Sequence, residues 1–234
     1  MRLLLISNST GPDGGFLDHC EDELVDFVGR GMRVLFVPFA GTDEDAYGAA
    51  AVDRLERMGF VASCADRTAD PRTVLEAADV VFVGGGNTFL LLDRLARTGM
   101  LEAIARRVRD GMPYVGASAG SNVAGPTIKT TNDMPIVQPP SFAAMGLVPF
   151  QINPHFVDRD PNSSHQGETR DQRLREYLSQ NDTPVVALRE GAVLRRESDV
   201  LELRGTSGAR IYRRGVACVE VATGTELRGL LGSP

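Results

Sequence analysis

Three cysteines, three histidines and no excess of basic charge leave few chemistries open to this 234-residue chain. Cys20, Cys64 and Cys218 are scattered, odd in number and free of CxxC spacing, which argues against both a disulfide framework and a zinc site. Cys20 follows His19, but sequence neighbours rarely adopt nucleophile–base geometry, so the cysteines are expected to be inert. The net charge of −6 supplies no concentrated basic face, which argues against a nucleic-acid partner. Lys129 is the lone lysine, a skew to which no function attaches. No apolar run approaches the length of a membrane span, so no membrane partner is expected. The opening "MRLLLISNST" is too short for a signal-peptide core and lacks a small-residue cleavage site, so a cytoplasmic location is expected. There is no repeat, no low-complexity segment and no break in composition. A single domain over residues 1–234, large enough to bury a substantial core, follows.

What is present is an ordinary folded composition, 42% hydrophobic and 24% charged, arranged in a rhythm. "RLLLIS", "RVLFVPFAG", "VASCA", "DVVFVGGG" and "PYVGAS" are short apolar runs of strand character. Between them lie helical stretches: "FLDHCEDELVDFVGRG", "DEDAYGAAAVDRLERMGF", "PRTVLEAA", "NTFLLLDRLARTGM" and "LEAIARRVRDGM". Strands apolar throughout and separated by helices predict a three-layer α/β fold, its mostly parallel sheet covered on both faces. Right-handed crossovers then put the strand C-termini on one edge, where ligands bind in such sheets. After Gly125 the rhythm changes to a Pro-rich segment too long for a linker, then "FQINPHFVD", a strand stopped at Asn153-Pro154 with His155 just beyond it. The helix "GETRDQRLREYLSQ" and the strand "TPVVALREG" follow, and alternating patterns in the tail predict β-hairpins on the sheet edge.

The chemistry gathers around "YVGASAGSNVAGPT". G-A-S-A-G matches the G-x-S-x-G of a nucleophile elbow, between a strand and a helix as that motif requires. Glycines permit the sharp backbone, and the helix start puts the Ala119 amide beside a developing oxyanion. The plainer reading is a tight turn with Ser118 as helix N-cap. A serine nucleophile needs a base. His19 sits in a helical stretch and His165 in a polar loop, so His155, on the same expected sheet edge as Ser118, is the best placed. Three carboxylates could orient it: Asp133, Asp158 and Glu190. The second glycine-rich turn, "VGGGNTFLLLDRL", lacks G-x-G-x-x-G spacing, which disfavours a dinucleotide. Bare amides at Gly85, Gly86 and Asn87 could complete an oxyanion hole, or Asn87 could simply cap the next helix.

With these residues marked, the sequence resembles the peptidase E family of aspartyl dipeptidases. The matching stretches are "GGGNTFLLL", "GASAGSNVAGPTI", "TTNDMPIV", "QINPHF", "GETRDQR" and the "EG" at 190–191, in the family's order. The resemblance implies a class I glutamine amidotransferase-like fold and a cytosolic serine exopeptidase cleaving dipeptides, and some short peptides, with N-terminal aspartate. It places the nucleophile on Ser118, the base on His155 and the orienting carboxylate on Glu190. In the acyl-transfer cycle expected of these residues, the amides of Gly86 and Ala119 hold the oxyanion. Ala117 stands where some members carry an aromatic side chain. For the substrate, the motif favours Arg170, whose planar fork suits a carboxylate, assisted by His165. Asp133 would accept the α-ammonium or brace the long loop, and Asn132 could do either. No metal or organic cofactor is expected, and the partners expected are small peptides and, in a homodimer, a second copy. Two competing readings are a cyanophycinase-like β-aspartyl peptidase and a non-catalytic amidotransferase-like binding protein.

Overall fold

The computed structural model describes residues 1–11, 14–159 and 167–232. Five parallel strands form the centre of a sheet: β1 (Arg2–Ile6), β2 (Arg33–Val37), β3 (Val61–Cys64), β4 (Val80–Val83) and β5 (Tyr114–Ala117), in the order β3-β2-β4-β5-β1. Alternate side chains leave each strand on opposite faces, and both faces are apolar. Leu3, Leu5, Leu35, Val37, Val81 and Val83 enter one core, and Leu4, Ile6, Val34, Phe36, Val80 and Phe82 enter another. Helices α1 (Glu21–Val28) and α2 (Glu44–Arg57) cover the second face through Leu24, Phe27, Ala51 and Leu55. Helices α3 (Pro71–Glu76), α4 (Thr88–Arg97) and α5 (Met100–Arg109) cover the first through Leu75, Leu91, Leu95, Ile104 and Val108. The three-layer α/β expectation holds. Asp43, Asp70 and Asn87 each cap the helix they precede by accepting a backbone N–H, contributing about 1 kcal/mol apiece.

The sequence places β6 (Gln151–Phe156) and β7 (Val185–Arg189) in the central sheet, and the structure does not. They pair in parallel with each other and start a second sheet, ordered β11-β10-β7-β6, with β10 (Ala209–Tyr212) and β11 (Val219–Val221). One face of it, with Ile152, Val186, Leu188 and Ile211, shares the core of α3–α5. The other face packs Phe156, Val185, Ala187 and Tyr212 against Leu174 and Leu178 of α7 (Arg170–Gln180). Apolar strands look alike in sequence whichever sheet they join, because both environments bury both faces. The hairpin β8 (Ala192–Glu197) and β9 (Val200–Gly205) takes the expected place on the edge of the main sheet, antiparallel to β1.

Two local differences matter for the site. His155 lies inside β6 rather than beyond it, at a bulge between Asn153 and Phe156 that also accommodates Pro154. The first helical stretch is broken, with a short 3-10 turn over Asp18–Cys20 carrying His19 ahead of α1. The long Pro-rich segment is folded onto the core, with Ile128, Met145, Leu147 and Val148 buried.

Candidate active site

The bend at Ser118 follows β5 and precedes the short helix α6 (Ala119–Asn122). Ser118 has φ 52° and ψ −110°, a conformation that costs a residue with a side chain about 1–3 kcal/mol. The neighbouring glycines are there because strand and helix nearly touch. A Cβ on Gly116 would lie 2.6 Å from the Gly120 carbonyl oxygen, and one on Gly120 would collide with the Val83 carbonyl. Backbone bonds hold the bend: Ser118 N–H donates to the Ile6 carbonyl at 2.9 Å, and Asn122 N–H donates to the Ser118 carbonyl at 2.9 Å. The buried Tyr114 hydroxyl donates to the Gly120 carbonyl at 2.7 Å. Ser118 caps no helix through its side chain, so the hydroxyl is left to another partner.

That partner is His155. Its Nε2 lies 2.9 Å from Ser118 Oγ, and its Nδ1 lies 2.8 Å from Glu190 Oε1. His155 also has a positive φ of 52°, reached through the bulge in β6. Glu190 sits in the turn directly after β7. With Nδ1 protonated and hydrogen-bonded to the carboxylate, Nε2 presents a lone pair to the serine hydroxyl. The other two carboxylates are engaged elsewhere. Asp158 is bound by Arg189 at 2.6 Å and by Arg210 at 3.1 Å, and the Arg189 guanidinium holds it below the usual carboxylate range. Asp133 Oδ2 accepts the Thr88 N–H at 2.8 Å and the Thr88 hydroxyl at 2.6 Å at the start of α4.

Opposite the bend runs the loop after β4. A side chain on Gly85 would lie 3.1 Å from Ser118 Cβ, so bare backbone faces Ser118. Gly85 N–H is taken by the Tyr47 hydroxyl at 3.0 Å, and Asn87 N–H by the Ala40 carbonyl at 3.0 Å. Gly86 N–H and Ala119 N–H have no partner among the described residues. Gly86 has φ 135°, and a Cβ there would collide with the Ala40 carbonyl. Asn87 caps α4 as the plainer reading had it, through its Oδ1 and the Leu90 N–H at 3.0 Å. Tyr47 is a support that sequence reasoning missed. It is packed edge-on against Phe16 and Phe36, and burial pushes its hydroxyl up to about 12. A tyrosine on an amphipathic helix carries no signal of such a role.

The remaining candidates fall in separate places. Asn132 donates to the Pro154 carbonyl at 2.8 Å and accepts from Asn153 at 2.9 Å, fastening the long segment to β6. Arg170 opens α7, half-buried, and no carboxylate pairs with it among the described residues. Burial and Arg173 lower its pKa, whereas the charge of Asp133 raises it. His165 lies outside the described residues. His19 has buried ring nitrogens, and burial lowers its pKa against the raising effect of the Asn8 backbone and of the Asp18 and Glu190 charges nearby. Cys20 is buried and its thiol is pushed up to about 12, the mark of an unreactive cysteine. Among the described residues no cluster of three or more His, Cys, Asp or Glu could hold a metal, and no helix is long and apolar enough to cross a membrane.

Comparison with known proteins points the same way as this geometry. Residues 3–204 match the model of peptidase family S51. The chain is 52% identical over 231 residues to a peptidase E of Streptomyces coelicolor, covering 99% of this chain and 95% of the relative. It is 43% identical to a probable alpha-aspartyl dipeptidase of Drosophila melanogaster, covering 98% of this chain and 97% of that one. A solved structure of a putative peptidase E protein from Listeria monocytogenes superimposes with a TM-score of 0.68 at 24% identity, over 88% of this chain and 98% of that chain. At that identity the likeness concerns the fold.

Proposed function

Because this chain belongs to peptidase family S51, we propose that it is a serine dipeptidase which removes aspartate from the amino terminus of dipeptides and some short peptides, through an acyl-enzyme on Ser118. The observation that carries this reading is the unbroken relay Ser118–His155–Glu190, with contacts of 2.9 and 2.8 Å. In the proposed cycle Ser118 Oγ attacks the carbonyl after aspartate while its proton passes to His155 Nε2. Glu190 fixes the imidazole tautomer and stabilises the imidazolium. The amides of Gly86 and Ala119, without a partner among the described residues, bind the oxyanion, one such donor contributing about 3 kcal/mol to the barrier reduction. His155 then gives its proton to the leaving amine, and water, deprotonated by the same imidazole, releases aspartate.

Arg170 supports the choice of aspartate. A half-buried guanidinium with no carboxylate of its own among the described residues is a ready partner for a substrate β-carboxylate. Asp133 keeps Oδ1 beyond its bonds to Thr88 and can accept the α-ammonium. His165 assists at the substrate in this reading, on the strength of the motif resemblance alone. The core shared by the two sheets supports residues 1–234 acting as one peptidase domain.

A panel of dipeptides varying only the first residue tests the reading. Asp-X is expected to exceed Glu-X by about 10- to 200-fold, the worth of one methylene in a fitted pocket. Asn-X, which leaves the guanidinium unpaired, is expected to fall further. Equal rates on Asp-X and Ala-X would reject the aspartate reading. Cleavage of β-Asp-X in preference to α-Asp-X would move the chain to the β-aspartyl class.

A further inference from the structure

The polar residues ending β1 reach every part of the relay's scaffold. The Ile6 carbonyl accepts the Ser118 N–H at 2.9 Å, and the Ser121 hydroxyl lies 2.7 Å from both it and the Gly116 carbonyl. Ser7 is completely buried. Its Oγ accepts the His155 N–H at 2.9 Å and donates its proton to the Leu188 carbonyl of β7 at 2.9 Å. Asn8 is 1% exposed, and its Oδ1 accepts the N–H of Gly191, the residue after Glu190, at 2.7 Å. Its Nδ2 donates to the Thr10 carbonyl at 3.0 Å. Residues 6, 7 and 8 therefore tie down, in turn, the nucleophile bend, the base and the carboxylate turn.

The hydroxyl of Ser7 has one proton, and the Leu188 carbonyl claims it. A lone pair must then face His155, so the bond has a fixed direction. What it holds is a residue at φ 52°, which tends to relax to negative φ and swing its ring away from Ser118. Asn8 acts in the same way on the turn that aims Glu190. Among the described residues neither side chain bonds the serine hydroxyl, the imidazole or the Glu190 carboxylate. Their action is through the backbone.

We propose that Ser7 and Asn8 are positioning residues, Ser7 holding the strained backbone of the base and Asn8 the turn that carries its carboxylate. The proposal rests on reading Ser118, His155 and Glu190 as the hydrolytic relay.

The test uses the full chain with a fluorophosphonate, which bonds phosphorus to Ser118 Oγ as fluoride leaves and His155 takes the proton, alongside an Asp-X dipeptide. Ser7→Ala and Asn8→Ala are expected to lower both the labelling rate and kcat by about 10- to 100-fold, the scale of a small misplacement of reacting groups, with KM within about threefold. Ser7→Thr, which keeps the hydroxyl, is expected to recover most of the loss. Full labelling and kcat in folded Ser7→Ala and Asn8→Ala would overturn the proposal, as would Ser7→Thr as slow as Ser7→Ala. If Ser7→Ala does not fold, Asn8→Ala decides alone. Wild-type chain that labels without cleaving Asp-X rejects the substrate reading and leaves the labelling arm decisive; wild-type chain that does neither rejects both.

Discussion

Ser118 and His155, the proposed nucleophile and base, reach one another from different sheets, and the two sheets deliver them by different means. On the main sheet, Ser118 is set mostly by residues adjacent in sequence, β5, the close-packed glycines and α6, with one long-range bond to the Ile6 carbonyl at the end of β1. On the second sheet, His155 and Glu190 are 35 residues apart and depend on the bulge in β6, the turn after β7 and contacts with the distant end of β1. Local chemistry shapes most of an elbow, and a single strand pins it here. A relay also needs long-range registration, and its accuracy is inherited from how the two sheets share a core.

The comparison can be broken most severely at Ser118. Ser118→Ala is expected to leave a folded chain with Asp-X hydrolysis reduced about 10⁴-fold or more, measured by dipeptide turnover beside a thermal melt. Next is the far side of the relay. Glu190→Gln is expected to lower kcat about 10² to 10⁴-fold, whereas Asp158→Asn, whose carboxylate lies on Arg189 and Arg210, leaves kcat within about threefold. The reverse pattern would move the orienting role to Asp158.

Gly86→Ala sharpens the contrast on the oxyanion side. Its Cβ cannot coexist with the Ala40 carbonyl, and φ 135° is strained for alanine. Displacement of that amide is expected to reduce kcat about 100-fold with little change in KM. The smallest effect lies away from either delivery route. Arg33 holds Asp79 by two guanidinium contacts of 2.6 and 3.1 Å and a backbone bond, which depress the carboxyl to about 2. A depressed carboxylate adds stability above its unfolded pKa, near 3.9, and that stability is lost as pH falls through about 2. Asp79→Asn is therefore expected to lower unfolding free energy by about 0.5 kcal/mol at pH 7, with the deficit vanishing near pH 2 and kcat unchanged. Denaturant melts across that range check it.

Much of this molecule is legible in its sequence. The alternation of apolar strands and amphipathic helices predicts the three layers, and Gly116 to Gly120 predict the elbow, because both signals repeat over a few residues. Asn87 is legible as a cap for the same reason. The placement of β6 and β7 is not, since a buried strand has the same apolar pattern in either sheet. His155 is expected past the end of a strand, because Asn153-Pro154 looks like a stop. A bulge absorbs the proline instead and turns the ring toward Ser118. Choosing among Asp133, Asp158 and Glu190 is also beyond local pattern. Asp158 and Glu190 each follow an apolar strand and Asp133 lies in a polar loop, and only their partners in space separate a helix cap, an ion pair and an acceptor for imidazole.

The sequence alone determined the layers, the strained serine and the family likeness, because backbone sterics and burial period act over short distances. Tertiary structure decided which carboxylate meets the imidazole, which amides stay without partners and which buried polar groups support them. Those outcomes depend on directions and distances between segments far apart along the chain, and hydrogen bonds lose their value within a few tenths of an ångström and a few tens of degrees.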